Sequence, residues 1–224
     1  MMRLPAFDII TFDCYGTLID WERGIVAAFQ AEAARAGRTL NARDIIAAYM
    51  IEEPAVEAGP YRPYRDVLTL TAQRVAARLG WDIDLDRASF LARSLPEWQP
   101  FADTNPALQR LAGRFSLGIL SNVDDDLLEA TRRHFTVTFD LIVTAAQVKS
   151  YKPAPAHFRE AMARAGTKKL LHAAQSYFHD VMPAARLGIP VVWINRKGER
   201  VSHGGPMPIC EVRDLTELAD LLGC

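Results

Sequence analysis

Apolar positions along the chain follow two rhythms. Ile9, Ile10 and Phe12 form a run of β-formers too short for a helix, closing on Asp13 and a Gly-Thr turn. Phe115 to Leu120, Leu141 to Val143, His172 to Ala174 and Val191 to Ile194 are comparable runs. Between and after them lie helical patterns: Ala107 to Ala112, Asp125 to His134, Ala156 to Ala165, Pro183 to Leu187 and Asp214 to Leu222. Strands separated by helices predict a parallel sheet with right-handed crossovers. From Trp21 to about Leu95 no strand pattern occurs. That stretch reads as four helices, Trp21 to Ala36, Ala42 to Glu53, Tyr64 to Leu79 and Leu85 to Leu95, stopped at Gly37, Pro54, Gly80 and Pro96. Pro96 to Pro106 reads as a linker.

The expected class is therefore α/β: a Rossmann-like, doubly wound parallel sheet core built from 1–17 and 97–224, with an all-helical insert over 18–96. At 224 residues the chain has room for such a core and a smaller insert. The formal net charge of −1 gives no broad attraction to nucleic acid or an anionic membrane. No apolar run reaches membrane-spanning length, and the N-terminus lacks a basic segment followed by a long apolar stretch. The three cysteines, Cys14, Cys210 and Cys224, are odd in number and far apart, which is neither a disulfide framework nor a zinc spacing. A reducing cytoplasm is the expected compartment. Cys14 neighbours Asp13 on a strand, so its side chain should face the other way and pack.

Four strand ends carry polar groups: Asp13, then Ser121 with Asn122, then Lys152 near the third, then Asp180 just after the fourth. A parallel sheet brings those ends to one edge, which is where open α/β sheets bind ligands. A carboxylate there can serve as a nucleophile and form an ester. Each group alone has an ordinary reading as a turn, a cap or a solvated charge. All four in order along one chain are harder to dismiss.

With these motifs the sequence resembles the haloacid dehalogenase superfamily of hydrolases. The resemblance is carried by Phe12-Asp13-Cys14-Tyr15-Gly16-Thr17-Leu18, Leu120-Ser121-Asn122, Tyr151-Lys152-Pro153, and Ser176 to Asp180 followed by Ala184-Ala-Arg-Leu-Gly188. It implies that the helical insert is a cap, that Asp13 attacks the substrate, and that Lys152 steadies charge at Asp13. Ser121, Asn122 and groups near Tyr15 would bind a small anionic substrate. Asp180, directly or through His179, would activate water, and Thr17 and Ser176 would orient the two aspartates. A positive neighbour should also lower the Asp13 pKa by about 1–3 units. A homodimer is implied by the resemblance alone.

Two positions separate branches of that superfamily. Its phosphatases carry a second aspartate two residues after the nucleophile to protonate the leaving alkoxide. Tyr15 stands there, and a phenol with an ordinary pKa of about 10 is not an ionised base near neutrality. A halide leaves without a proton, and Asp-x-Tyr-Gly-Thr-Leu resembles the 2-haloacid dehalogenase branch, as does Val192 to Arg196. Gln175 replaces an acid that would help hold magnesium, leaving Asp13 and Asp180 as metal ligands if magnesium binds. The implied reaction is hydrolytic dehalogenation needing no cofactor. The alternatives are a magnesium-dependent phosphatase and a catalytically weak ligand-binding member. The arginine that dehalogenases carry on the second cap helix is replaced by Tyr49-Met50, with Arg62 and Arg65 as nearby candidates.

Overall fold

In the computed structural model, which describes residues 5–200 and 204–224, six parallel strands form one sheet. They are β1 (Ile9–Phe12), β2 (Ser116–Ser121), β3 (Leu141–Thr144), β4 (Leu170–Ala174), β5 (Val191–Ile194) and β6 (Cys210–Val212), in the order β3-β2-β1-β4-β5-β6. The first four residues of the segment judged to lack a leader lie outside the described residues. All four residues of β1 are buried, as a strand covered on both faces requires. The register sets Thr11 beside both Gly118 and His172. The chain leaves β1 for β2 on one side and later returns to β4 on the other. The topological switch point therefore lies between β1 and β4, where crevices form in doubly wound sheets, and Asp13 follows β1 directly.

On one face Val143, Phe158, Ala161, Val181, Ala184 and Trp193 pack into a buried cluster. The helices α6 (Thr104–Ala112), α9 (Ala156–Ala165), α10 (Met182–Arg186) and α11 (Leu215–Leu221) connect or follow the strands, and α8 (Ala145–Val148) is a single turn after β3. Asp214 caps α11 by accepting from the Glu217 N–H at 2.9 Å. No described helix is long and apolar enough to cross a membrane.

The chain divides into two compact units. The α/β unit runs up to Ile19 and continues through Pro100–Asn122 and Arg133–Cys224. The second unit is Asp20–Gln99 with Val123–Arg132. It contains α1 (Trp21–Arg35), α2 (Ala42–Glu57), α3 (Tyr64–Arg78), α4 (Leu85–Ala88), α5 (Phe90–Ser94) and α7 (Asp125–Arg132), and no strand. The strand–helix alternation does not anticipate that α7 groups with the helical unit. Asp124 supplies a reason. Helix α3 begins after Pro63, which offers no side-chain cap. The Asp124 carboxylate instead accepts the Tyr64 and Arg65 N–H groups, at 2.9 and 3.0 Å, and places an anion at the helix N-terminus.

Element edges differ from expectation where packing overrides local signals. Helix α2 runs through Pro54 to Glu57. The carbonyl that loses its partner there belongs to Met50, an exposed residue whose backbone water can serve. The helix expected over 85–95 breaks into α4, α5 and a 3₁₀ turn, Leu95–Glu97, that accommodates Pro96. The expected linker contains the start of α6, anchored by Thr104, whose buried hydroxyl donates to the Leu18 carbonyl at 2.8 Å. The three-residue β6 has no sequence signal of its own; it is extended because it pairs with β5.

Candidate active site

Asp13 follows β1 into a tight turn. The Leu18 and Ile19 N–H groups both donate to the Cys14 carbonyl, at 2.8 and 3.0 Å. Gly16 adopts φ 106°, a conformation that side chains with a Cβ resist. This geometry returns Thr17 toward Asp13. Its hydroxyl accepts from the Gln175 N–H at 2.9 Å, so its own hydrogen is committed to Asp13 Oδ2, also 2.9 Å away. Arg196 holds the turn from outside: its guanidinium donates to the Thr17 carbonyl at 2.9 Å, pairs with Asp103 and stacks on Phe101 at 4.1 Å. Cys14 is fully buried, and burial pushes its thiol up, which leaves it a packing residue.

Lys152 joins the strand ends. Its Nζ donates to Asp13 Oδ1 at 2.9 Å, to Asp180 Oδ1 at 2.6 Å and to the Leu120 carbonyl at 2.9 Å. An ammonium has three hydrogens, and all three are used. The lysine is 2% exposed, so its partners must compensate its charge. Burial would lower its pKa, but the two carboxylates override burial and raise it. Asp180 is held down to about 2: burial opposes ionisation, yet Lys152 and the His172 hydrogen bond win. Asp13 behaves differently from expectation. Burial pushes its carboxyl above the ordinary value, Lys152 pulls against that, and the Asp180 carboxylate pushes with it. One lysine shared between two buried carboxylates does not depress both.

Several side chains take parts other than those expected of them. Asn122 is turned to the Lys152 backbone: its Oδ1 accepts the Lys152 N–H at 2.7 Å and its Nδ2 donates to the Lys152 carbonyl at 3.1 Å. The part the structure gives Asn122, expected at the substrate, is this clamp on the Lys152 backbone. The Gln175 side-chain amide donates to Glu199 at 3.2 Å, which turns it away from Asp13, and the Gln175 backbone carbonyl accepts from the Trp193 indole at 2.7 Å. The Ser176 hydroxyl pairs with His179 Nδ1 at 3.0 Å and accepts the His179 N–H at 3.1 Å. Ser176 therefore orients His179, and only its backbone carbonyl touches Asp180, through the Asp180 N–H at 3.1 Å. Burial lowers the His179 pKa, keeping the imidazole neutral near pH 7. The Ser121 hydroxyl is buried without a protein partner, while its backbone carbonyl meets His157 Nε2 at 3.1 Å. Tyr15 is half-buried beside the turn, bridged by backbone to Ile19.

The side chain that sequence reasoning missed at this edge is His172. It is fully buried on β4, and its Nε2 lies 3.1 Å from Asp180 Oδ1. A histidine in an otherwise small and apolar strand, on the same face as its register partner Thr11, was the available signal. In the helical unit Arg65 is committed to an ion pair with Asp126, with Asp124 3.6 Å away.

A magnesium ion would need Asp13 and Asp180 as ligands. Asp180 already gives Oδ1 to two donors, and the third position has an amide, Gln175, tied to Glu199. Only two carboxylates remain, both bound to the Lys152 ammonium, which is a thin donor set for a hard cation. Among the described residues no group of three or more His, Cys, Asp or Glu side chains is placed to hold a metal.

Residues 7–174 match the family described as haloacid dehalogenase-like hydrolase. The chain is 27% identical over 222 residues to (S)-2-haloacid dehalogenase H-109 of Pseudomonas putida, covering 95% of this chain and 96% of that one. The L-2-haloacid dehalogenase of Xanthobacter autotrophicus, solved with chloropropionic acid covalently bound, superposes with a TM-score of 0.82 at 20% identity, covering 97% of this chain and 99% of that one. The hydrolase YfnB of Bacillus subtilis, solved with bound magnesium, superposes at 0.84 with 18% identity, covering 98% and 100%. At those identities the two structures speak for the fold alone.

Proposed function

The chain belongs to the haloacid dehalogenase-like hydrolases, and from that premise we propose that it hydrolyses the carbon–halogen bond of a small 2-haloacid through an ester on Asp13. The observation that carries this is the surrounding of Asp13. A buried lysine and an oriented hydroxyl hold the carboxylate, and Tyr15 stands where an alkoxide leaving group would need an acid.

In the first step an Asp13 oxygen attacks the carbon bearing the halogen from the side opposite the halide. A carbon–oxygen bond forms, the carbon–halogen bond breaks with its electron pair, and configuration inverts. No proton moves, so Tyr15 is no handicap. Lys152 favours the ionised form of Asp13 against burial, and Asn122 keeps Lys152 in place. In the second step water attacks the ester carbonyl carbon. Lys152, still against that carboxyl, stabilises the negative charge that builds there. Asp180 accepts the water proton and returns it to the departing hydroxy acid. The regenerated Asp13 carboxyl then loses its proton to solvent. Within this reading the helical unit serves as the cap, and the Ser121 hydroxyl is a donor for the substrate carboxylate.

The test is chloride release from L-2-chloropropionate in the presence of EDTA, run beside p-nitrophenyl phosphate with and without magnesium. Chloride should appear with EDTA present. Asp13→Asn should lower turnover by about 10⁴-fold or more. Magnesium-dependent phosphate release with no chloride would overturn the proposal.

A further inference from the structure

His172 is a titratable side chain with no solvent exposure that the two steps above leave without a part. It lies in β4, register partner of Thr11 and two residues before Ala174. Both ring nitrogens are engaged. Nε2 faces Asp180 Oδ1 at 3.1 Å, and Nδ1 faces Thr11 Oγ1 at 2.9 Å. An ionised Asp180 can only accept, so Nε2 carries the hydrogen and Thr11 completes the ring's second hydrogen bond. Phe158 packs edge-on against the ring, centroids 5.3 Å apart and planes at 89°. The imidazole is therefore fixed at three points, one of them on the neighbouring strand β1.

The consequence lies in how the Asp180 oxygens are divided. Oδ1 receives Lys152 and His172. Oδ2 is buried and receives no donor among the described residues. Lys152 alone would be a poor anchor, because it is shared with Asp13 and its partner changes character during the reaction. Once Asp13 is esterified its charge is gone, and the ammonium is drawn toward Asp180. A carboxylate held by that one donor would be free to turn with it. We infer that His172 is a positioning residue for ester hydrolysis: it pins Asp180 through Oδ1 so that Oδ2 remains the acceptor for the attacking water's proton. This rests on the dehalogenase reading above and adds to it the step at which the histidine acts. Ester formation does not use Asp180 Oδ2; ester hydrolysis does.

Rapid-quench measurement of chloride, with the mass of the intact protein followed in parallel, separates the two steps. The wild type is compared with His172→Phe, which keeps a ring but no donor, and with His172→Gln, which restores an N–H. In His172→Phe the first equivalent of chloride should appear within about 3-fold of the wild-type rate. Steady-state turnover should fall by about 10²-fold, and the ester adduct should accumulate on the protein. His172→Gln should recover part of the turnover and carry less of the adduct than His172→Phe. Equal slowing of both steps in both variants, or wild-type turnover in His172→Phe, would overturn the inference and leave dehalogenation standing. A wild-type chain that releases no chloride would overturn both. If His172→Phe does not fold, His172→Gln carries the test: a turnover deficit without an accompanying slowing of the burst supports the assignment, and its absence refutes it.

Discussion

Two buried carboxyl clusters, one in each unit, resolve the same electrostatic problem in opposite ways. At the strand ends of the α/β unit, Asp13 and Asp180 share the ammonium of Lys152, and Asp180 stays ionised with a pKa of about 2. In the helical unit, Glu53 on α2 has no cation partner among the described residues. Its hydrogen-bond partner is the Tyr64 hydroxyl on α3, 3.3 Å away, itself 3.4 Å from the Tyr49 hydroxyl. Burial raises the Glu53 carboxyl to about 7, which the tyrosine hydrogen bond only partly offsets. A neutral donor does not replace a charge in holding a carboxylate ionised inside a protein. The contrast also separates the parts: the cluster built on a cation is where a nucleophile is needed, and the one without a cation lies between packed helices.

The largest disturbance of this contrast should come from Lys152→Met, which turns the strand-end cluster into two carboxyls without a cation. Removing one partner of a buried charge network costs about 3–5 kcal/mol. The expected outcome is that loss in urea unfolding together with loss of turnover. A stable variant with unchanged unfolding would show that the lysine is not holding the cluster. Next in size is Asp124→Ala, which strips the carboxylate from the start of α3. Stability should fall by about 1–2 kcal/mol, with faster amide exchange concentrated in 64–68. Exchange spread evenly over the chain would contradict a local cap.

The pH dependence is the most diagnostic. The folded-state pKa of Glu53 is raised, so its contribution to stability is complete below the ordinary 4.5 and is lost as pH rises through about 7. Asp180 is depressed, so its contribution is present above the ordinary 3.8 and is lost as pH falls through about 2. Amide exchange in α2 and α3 should therefore quicken between pH 4.5 and 7, and Glu53→Gln should flatten that dependence without altering the acid limb. An unchanged slope in Glu53→Gln would assign the effect to another group.

Legibility was uneven, and particular residues show why. Asp13, Lys152 and Asp180 could be named from sequence because each follows a strand signal, and a parallel sheet brings such ends together; Thr17 was added by the family resemblance. The Thr17 hydrogen bond to Asp13 spans four residues and belongs to a local turn. Asn122 could be named but not given its partner, since its amide binds the backbone of a residue thirty positions on. Ser176 was expected to orient an aspartate side chain, and its true partner was hidden for a related reason: the wide turn at Tyr177–Val181 places His179, not the Asp180 carboxylate, against its hydroxyl. His172 was passed over because one polar residue in a short buried strand has no periodicity to mark it.

By itself, then, the sequence determined the alternation of strands and helices, the helical stretch with no strand in it, and the order in which polar groups reach one sheet edge. These follow from hydrophobic periodicity and turn-forming residues, which act over a few positions. Only the tertiary structure decided that Asp124 caps α3 from another segment, that His172 takes one oxygen of Asp180, and that Asp13 lies above its ordinary pKa despite its lysine. Those outcomes depend on burial and on charges summed through space, and neither is a property of residues close together in the chain.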